Sequence, residues 1–110
     1  MEKYSINGVS LLKNKKAIFP MMGEFHFSRC PEKEWEDEIR KMKACGMDII
    51  ATYVFWIHHE EEEGVFDFSG QRNLHRFLEL CEKWQMHVWL RIGPWAHGEA
   101  RNGGFPDWLL

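Results

Sequence analysis

The chain has 110 residues, enough for one small domain, and 45% of them are hydrophobic, so a packed core is within its composition. Its formal charge is −3, from 14 basic and 17 acidic residues with no basic patch, which argues against a nucleic-acid partner. No stretch reaches the roughly 18 apolar residues of a membrane span, and none reads as a signal peptide, so the compartment stays open.

The first 20 residues read as a small extended hairpin: "VSLL", the turn "KNKK", then "AIF". Pro20 interrupts, and "MMGEFHF" follows as a short apolar strand. "PEKEWEDEIRKMKACG" has the marks of a helix. Pro31 suits its first position, because the missing N–H is not needed there. Acidic residues crowd its start and basic ones its end, which complements the helix dipole. Trp35, Ile39 and Met42 recur at helical spacing, and Gly46 is placed to end the helix.

"DIIATYVFW" is nearly continuous in apolar residues, as expected of a parallel strand buried on both faces. A loop is expected through "IHHEEEEGVFDFSG". Its run Glu60–Glu63 reads as a solvated stretch, since calcium ligands alternate with spacers. A second helix is expected from Gln71 to Gln85, with Ser69 as its cap and Leu74, Phe77, Leu78, Cys81 and Trp84 facing inward. "HVWLRIG" reads as a third buried strand, and "PDWLL" as the first turn of another helix. Cys30, Cys45 and Cys81 fit neither a disulfide framework nor a zinc pattern. Cys45 and Cys81 are expected as buried free thiols on helix faces, which fits a reducing compartment.

Strands alternating with helices predict a parallel α/β sheet. A doubly wound nucleotide-binding sheet would carry a Gly-rich phosphate turn after its first strand, where this chain has "EFHFSRCP". A (β/α)₈ TIM barrel instead collects polar groups at the C-terminal ends of its strands. Here those ends hold Glu24 and His26, then Tyr53 and Trp56, then Arg91 through Glu99. The expected fold is therefore a partial barrel: about three βα units preceded by a short β-hairpin. A whole barrel needs about 250 residues, so residues 1–110 read as the N-terminal portion of a larger catalytic domain, with the rest of that domain as their partner.

Several residues could carry chemistry. Tyr53 can donate a hydrogen bond and Trp56 can stack on a sugar, although both are also ordinary core aromatics. His58, His59, His97 and Glu99 could be read as the ligands of a metal-dependent hydrolase. His58, His59 and Glu60 are adjacent, and adjacent side chains in an extended loop diverge, so no metal site is assigned. Arg91 lies in a buried strand and must meet a carboxylate. Gly98, Gly103 and Gly104 let the backbone turn tightly and approach a ligand. Glu99 sits among them, either as a ligand-binding carboxylate or as an ion-pair partner of Arg91 or Arg101.

"GEFHFSR", "TYVFWIHHE", "GVFDF", "LRIGPW", "GE" and "NGGFPDWLL", in this order and spacing, closely resemble the start of the glycoside hydrolase family 35 catalytic domain. These are the β-galactosidases and their relatives, and the likeness runs from about Val9 to Leu110. The resemblance implies a retaining exo-β-glycosidase of TIM-barrel fold, removing terminal non-reducing β-galactose without a metal or organic cofactor. Its acid/base and nucleophile glutamates follow the fourth and seventh strands, so both are expected beyond residue 110 and no catalytic residue is assigned here. Residue by residue, Tyr53 falls on a sugar-contacting tyrosine. Ala96, His97, Gly98 and Glu99 fall on the segment that holds the galactose, and His26 and Arg29 match positions on the pocket floor. Family members often read "GPYxCAEW" where this chain reads "GPWAHGEA", and the changed neighbours of Glu99 leave room for another β-linked sugar, such as glucosamine. A non-catalytic remnant with weak sugar binding is the alternative from another class.

Overall fold

A computed structural model describes residues 1–110. The N-terminal hairpin is present. Strands β2 (Leu11–Lys13) and β3 (Lys16–Ile18) pair antiparallel across a two-residue turn. Asn14 and Lys15 in that turn both have positive φ, 49° and 68°. That geometry is a type I′ turn, whose twist matches the flanking strands. A further strand, β1 (Tyr4–Ile6), adds to β2 with Tyr4 opposite Lys13. It escapes a sequence reading because it is only three residues long and all three are exposed.

The second sheet is parallel, in the order β4 (Met22–Glu24), β5 (Ile49–Tyr53), β6 (His87–Arg91). Helix α1 (Trp35–Ala44) joins the first pair and α3 (Leu74–Lys83) the second. Both pack against one face of the sheet. Trp35 and Ile39 from α1, Phe77 and Leu80 from α3, and Ile50 from the central strand share one buried cluster with Phe27. Phe77 stacks on Phe27 at 5.2 Å between ring centroids, with Trp35 edge-on to both rings.

The helix starts differ from expectation. Pro31 precedes a 3₁₀ turn, Glu32–Glu34, and α1 begins only at Trp35. Gly46, at φ 88°, follows its end as expected. The stretch from Gly70 to Arg72 is likewise 3₁₀, and Asn73, not Ser69, caps α3: its side-chain oxygen accepts from the Arg76 amide at 2.9 Å. Ser69 is engaged elsewhere, donating its hydroxyl and amide to Asp67. The expected loop after β5 contains a helical turn, α2 (Trp56–His59). "PDWLL" forms a 3₁₀ turn over Asp107–Leu109.

Three burial expectations are corrected. Cys45 is exposed, because it sits at the cap of α1, off the Trp35–Ile39–Met42 stripe, whereas Cys81 is buried as expected. Within the acidic run only Glu61–Glu63 are solvated, since Glu60 is 5% exposed. Strand β6 is not buried on both faces. Val88 packs against the core, but Trp89 is 57% exposed, because nothing packs over the face of the sheet opposite the helices. Met22, on the same open face, is 44% exposed. The chain is correspondingly extended: its radius of gyration is 16.1 Å, against about 13 Å for a compact domain of this length.

His58 and His59 turn inward. The His59 ring stacks on Phe68 at 4.6 Å, and its Nδ1–H donates to the Asp67 carbonyl at 3.1 Å. The Nε2 atoms of both histidines are buried without a partner. Burial holds both pKa values below the ordinary 6.5.

Two outcomes follow from this packing. Phe77→Ala removes the ring that bridges both helices and should cost about 3–5 kcal/mol in urea unfolding. The neutral histidines contribute stability that is full above about pH 6.5 and is lost as the pH falls from there through their lower folded-state values. A His58→Gln/His59→Gln double variant should therefore show a flatter change in unfolding free energy between about pH 7.5 and 5 than the parent chain.

Candidate functional site

The C-terminal ends of the three parallel strands meet in one charged cluster. Alternation along each strand places Glu24, Ala51 and Trp89 in register on the face away from the helices, with Tyr53 opposite Arg91 one step further on. Arg91 reaches across the central strand to Glu24 as a bidentate pair, Nη1 to Oε1 at 2.6 Å and Nη2 to Oε2 at 2.5 Å. The expected carboxylate partner of Arg91 is thus Glu24. The guanidinium beside it holds the Glu24 carboxyl below its usual range, and the carboxylate raises the Arg91 pKa in return. His26 Nε2 lies 3.2 Å from Glu24 Oε2.

Tyr53 stands at the centre of this cluster. The Arg91 guanidinium lies 4.0 Å from its ring centroid, Phe55 stacks on it at 5.3 Å, and His26 meets it edge-on. Its ring is enclosed on all these sides, so the polar tip is its functional end. The hydroxyl donates to the His97 carbonyl at 2.5 Å. A hydroxyl that donates keeps its lone pairs for a further donor.

The segment after β6 is held from several directions. Ala96 is buried, and its amide donates to the Gly103 carbonyl at 2.7 Å. Gly98 lies against the Tyr53 ring, where an added Cβ would come within 3.1 Å. Gly103 has φ +61°, and a Cβ there would meet the Trp95 indole nitrogen at 2.5 Å, so a side chain at this position would have to displace the indole. Arg29 donates from Nη2 to the Glu99 carbonyl at 2.6 Å. Arg29, His26, Glu24, Phe25 and Cys30 line a cleft of about 310 Å³ at the foot of this segment.

The Glu99 carboxylate takes part in no ion pair. Arg91 is taken by Glu24, and Arg101 pairs with Asp107, so neither partner weighed for Glu99 reaches it. The fold thus brings Tyr53, Ala96, His97, Gly98 and Glu99 together, along with His26 and Arg29, and leaves Glu99 with a free, exposed carboxylate.

Other expectations fall away from the site. Trp56 is not an open stacking platform: its indole packs edge-on against Phe105 and Trp108 and donates to Glu60 at 2.5 Å. His58, His59, His97 and Glu99 do not assemble, and no group of three or more His, Cys, Asp or Glu side chains converges on a common point. Sequence reasoning placed Glu60 in a solvated acidic run and missed its buried role. The one signal that could have found it is its spacing of four from Trp56 along a helical turn.

The sequence profile described as Glycosyl hydrolases family 35 matches residues 10–110. An exo-beta-D-glucosaminidase of Pyrococcus horikoshii is 48% identical over 92 residues, covering 80% of this chain and 12% of the relative. Beta-galactosidase 13 of Arabidopsis thaliana is 38% identical over 98% of this chain and 13% of its own length. Human beta-galactosidase-1-like protein 2 is 44% identical over 80% of this chain and 14% of its own. The chain therefore spans only about an eighth of these relatives. Among solved structures, a beta-galactosidase from the psychrophilic Marinomonas ef1 superposes with a TM-score of 0.64 over 74% of this chain and 12% of that one. At 15% sequence identity this likeness concerns the fold alone. A profile match over nearly the whole sequence, with relatives this similar, settles the family: the chain belongs to glycosyl hydrolase family 35.

Proposed function

We propose that residues 1–110 form the first three βα units of a (β/α)₈ barrel in a retaining exo-β-glycosidase, and that the cluster at their strand ends is one wall of the pocket for the terminal sugar. The open outer side of β6 and the exposed Trp89 and Met22 support the barrel reading, because further strands would cover that face. The observation that carries the sugar reading is the free Glu99 carboxylate. It projects from a segment whose backbone is pinned by Tyr53 and Arg29. A carboxylate carried on a held backbone and outside any ion pair is available to accept hydrogen bonds from sugar hydroxyls.

In this reading Tyr53 both sets the segment, through the His97 carbonyl, and offers its lone pairs to a hydroxyl of the sugar. Gly98 brings the backbone of the segment against Tyr53. The two carboxylates that break the bond, about 5–5.5 Å apart in retaining enzymes, lie in the remainder of the domain. The substrate is a terminal non-reducing β-galactoside. A second reading, a terminal β-glucosaminide, is favoured by the 48% identity to an exo-beta-D-glucosaminidase and by the unpaired Glu99, since a carboxylate also suits an ammonium group.

Kinetics of the full-length protein carrying this segment test both points. Glu99→Gln should lower kcat/KM on the preferred aryl β-glycoside by about 10²-fold, the loss of a charged hydrogen bond in a water-excluded site. An unchanged kcat/KM removes Glu99 from the pocket. Comparing aryl β-galactoside with aryl β-glucosaminide then chooses between the two sugars, galactoside being the one expected to turn over faster.

A further inference from the structure

Glu60 is the chain's buried carboxylate without a cation. It is 5% exposed and takes part in no ion pair. Burying such a charge is costly unless donors surround it. Two do: the Trp56 indole N–H donates to Oε2 at 2.5 Å, and the Gly64 amide donates to Oε1 at 2.8 Å. A third donor, the Trp108 indole N–H, reaches the backbone carbonyl of the same residue at 3.0 Å. Trp108 meets Trp56 edge-on at 5.7 Å, and Phe105 meets Trp56 at 6.0 Å. The turn α2 and the segment from Arg101 to Leu109 are thereby fastened together at Glu60.

That fastening bears on the strand-end cluster. The fastened segment includes Gly103, whose carbonyl accepts the Ala96 amide, and Gly104, which leaves only 3.3 Å between an added Cβ and the Ala96 side chain. Ala96 opens the stretch that ends in Glu99. Tyr53 and Arg29 hold that stretch on its cluster side through two carbonyls. The Gly103–Gly104 backbone supports Ala96 separately.

We propose that Glu60 is a positioning residue: its carboxylate and carbonyl clasp Trp56 and Trp108, and through the Gly103–Gly104 backbone they fix where Ala96–Glu99 sits. The clasp touches no substrate. Its effect on substrate recognition rests on the sugar-pocket reading above, whereas its effect on the position of the segment does not.

Hydrogen–deuterium exchange of the full-length protein separates these. Glu60→Gln places an amide N–H₂ against a donor, and Trp108→Phe keeps the ring but removes the indole N–H. Each should raise exchange in the peptide spanning 93–104 by about tenfold, as expected for a local opening, while the α3 peptide spanning 74–83 keeps its protection. Trp108→Phe serves alone if Glu60→Gln does not fold. Unchanged exchange at 93–104, or an equal rise in both peptides, overturns the clasp. If exchange rises locally as expected, an accompanying increase in KM supports the sugar pocket, and unchanged kcat and KM count against the sugar pocket and leave the clasp standing.

Discussion

The arrangement depends on one ion pair. Arg91 ends the third parallel strand with a guanidinium that must find a carboxylate, and the only one across the sheet end is Glu24, two strands away. To reach it, Arg91 lies over the ring of Tyr53 on the central strand. A single contact therefore ties all three strand ends together. It also depends on register. A slip of one residue in β4 or β6 would send Glu24 or Arg91 to the helix side, where Ile50 and Val88 pack. The pair is partly open to solvent, so its value is geometric more than thermodynamic: a bidentate fork fixes both orientation and distance.

Everything at the strand ends is hung from that base. The segment Trp95–Ala100 has no regular structure, and its carbonyls would otherwise need water. Two of them are taken by side chains from earlier elements, the Tyr53 hydroxyl on His97 and the Arg29 guanidinium on Glu99. The base consumes the nearby cations in the process. Arg91 is paired with Glu24, Arg101 with Asp107, and Arg29 donates to the Glu99 carbonyl, which leaves the Glu99 carboxylate outside any ion pair. In the proposed function that unpaired carboxylate is what meets the sugar.

Much of this could be read from the sequence, and for physical reasons. A continuous apolar run such as "DIIATYVFW" has few ways to be buried except as a central parallel strand, and a buried arginine has few ways to exist unpaired. The Trp35–Ile39–Met42 stripe and the αL glycine after it marked α1. What escaped were features decided by neighbours distant in sequence. The strand β1 is three exposed residues long, too short to stand out, and is defined by its pairing with the edge of β2. Asn73 displaced Ser69 as a cap because the preceding residues wound into a 3₁₀ turn. Glu60 looked like the first of four solvated glutamates, yet indoles at positions 56 and 108 give it partners that composition cannot reveal. Trp56 was legible as an aromatic near the site but not as one whose edges are already used.

The central claim is that the pinned segment presents Glu99 to the terminal sugar. A crystal structure of the full-length protein soaked with the non-hydrolysed terminal monosaccharide tests it most directly. The account predicts a sugar hydroxyl about 2.7–3.0 Å from a Glu99 carboxylate oxygen, with the Tyr53 hydroxyl still donating to the His97 carbonyl and accepting from the same ring. A sugar bound with Glu99 directed into solvent, or seated at a different strand-end cluster, would contradict it.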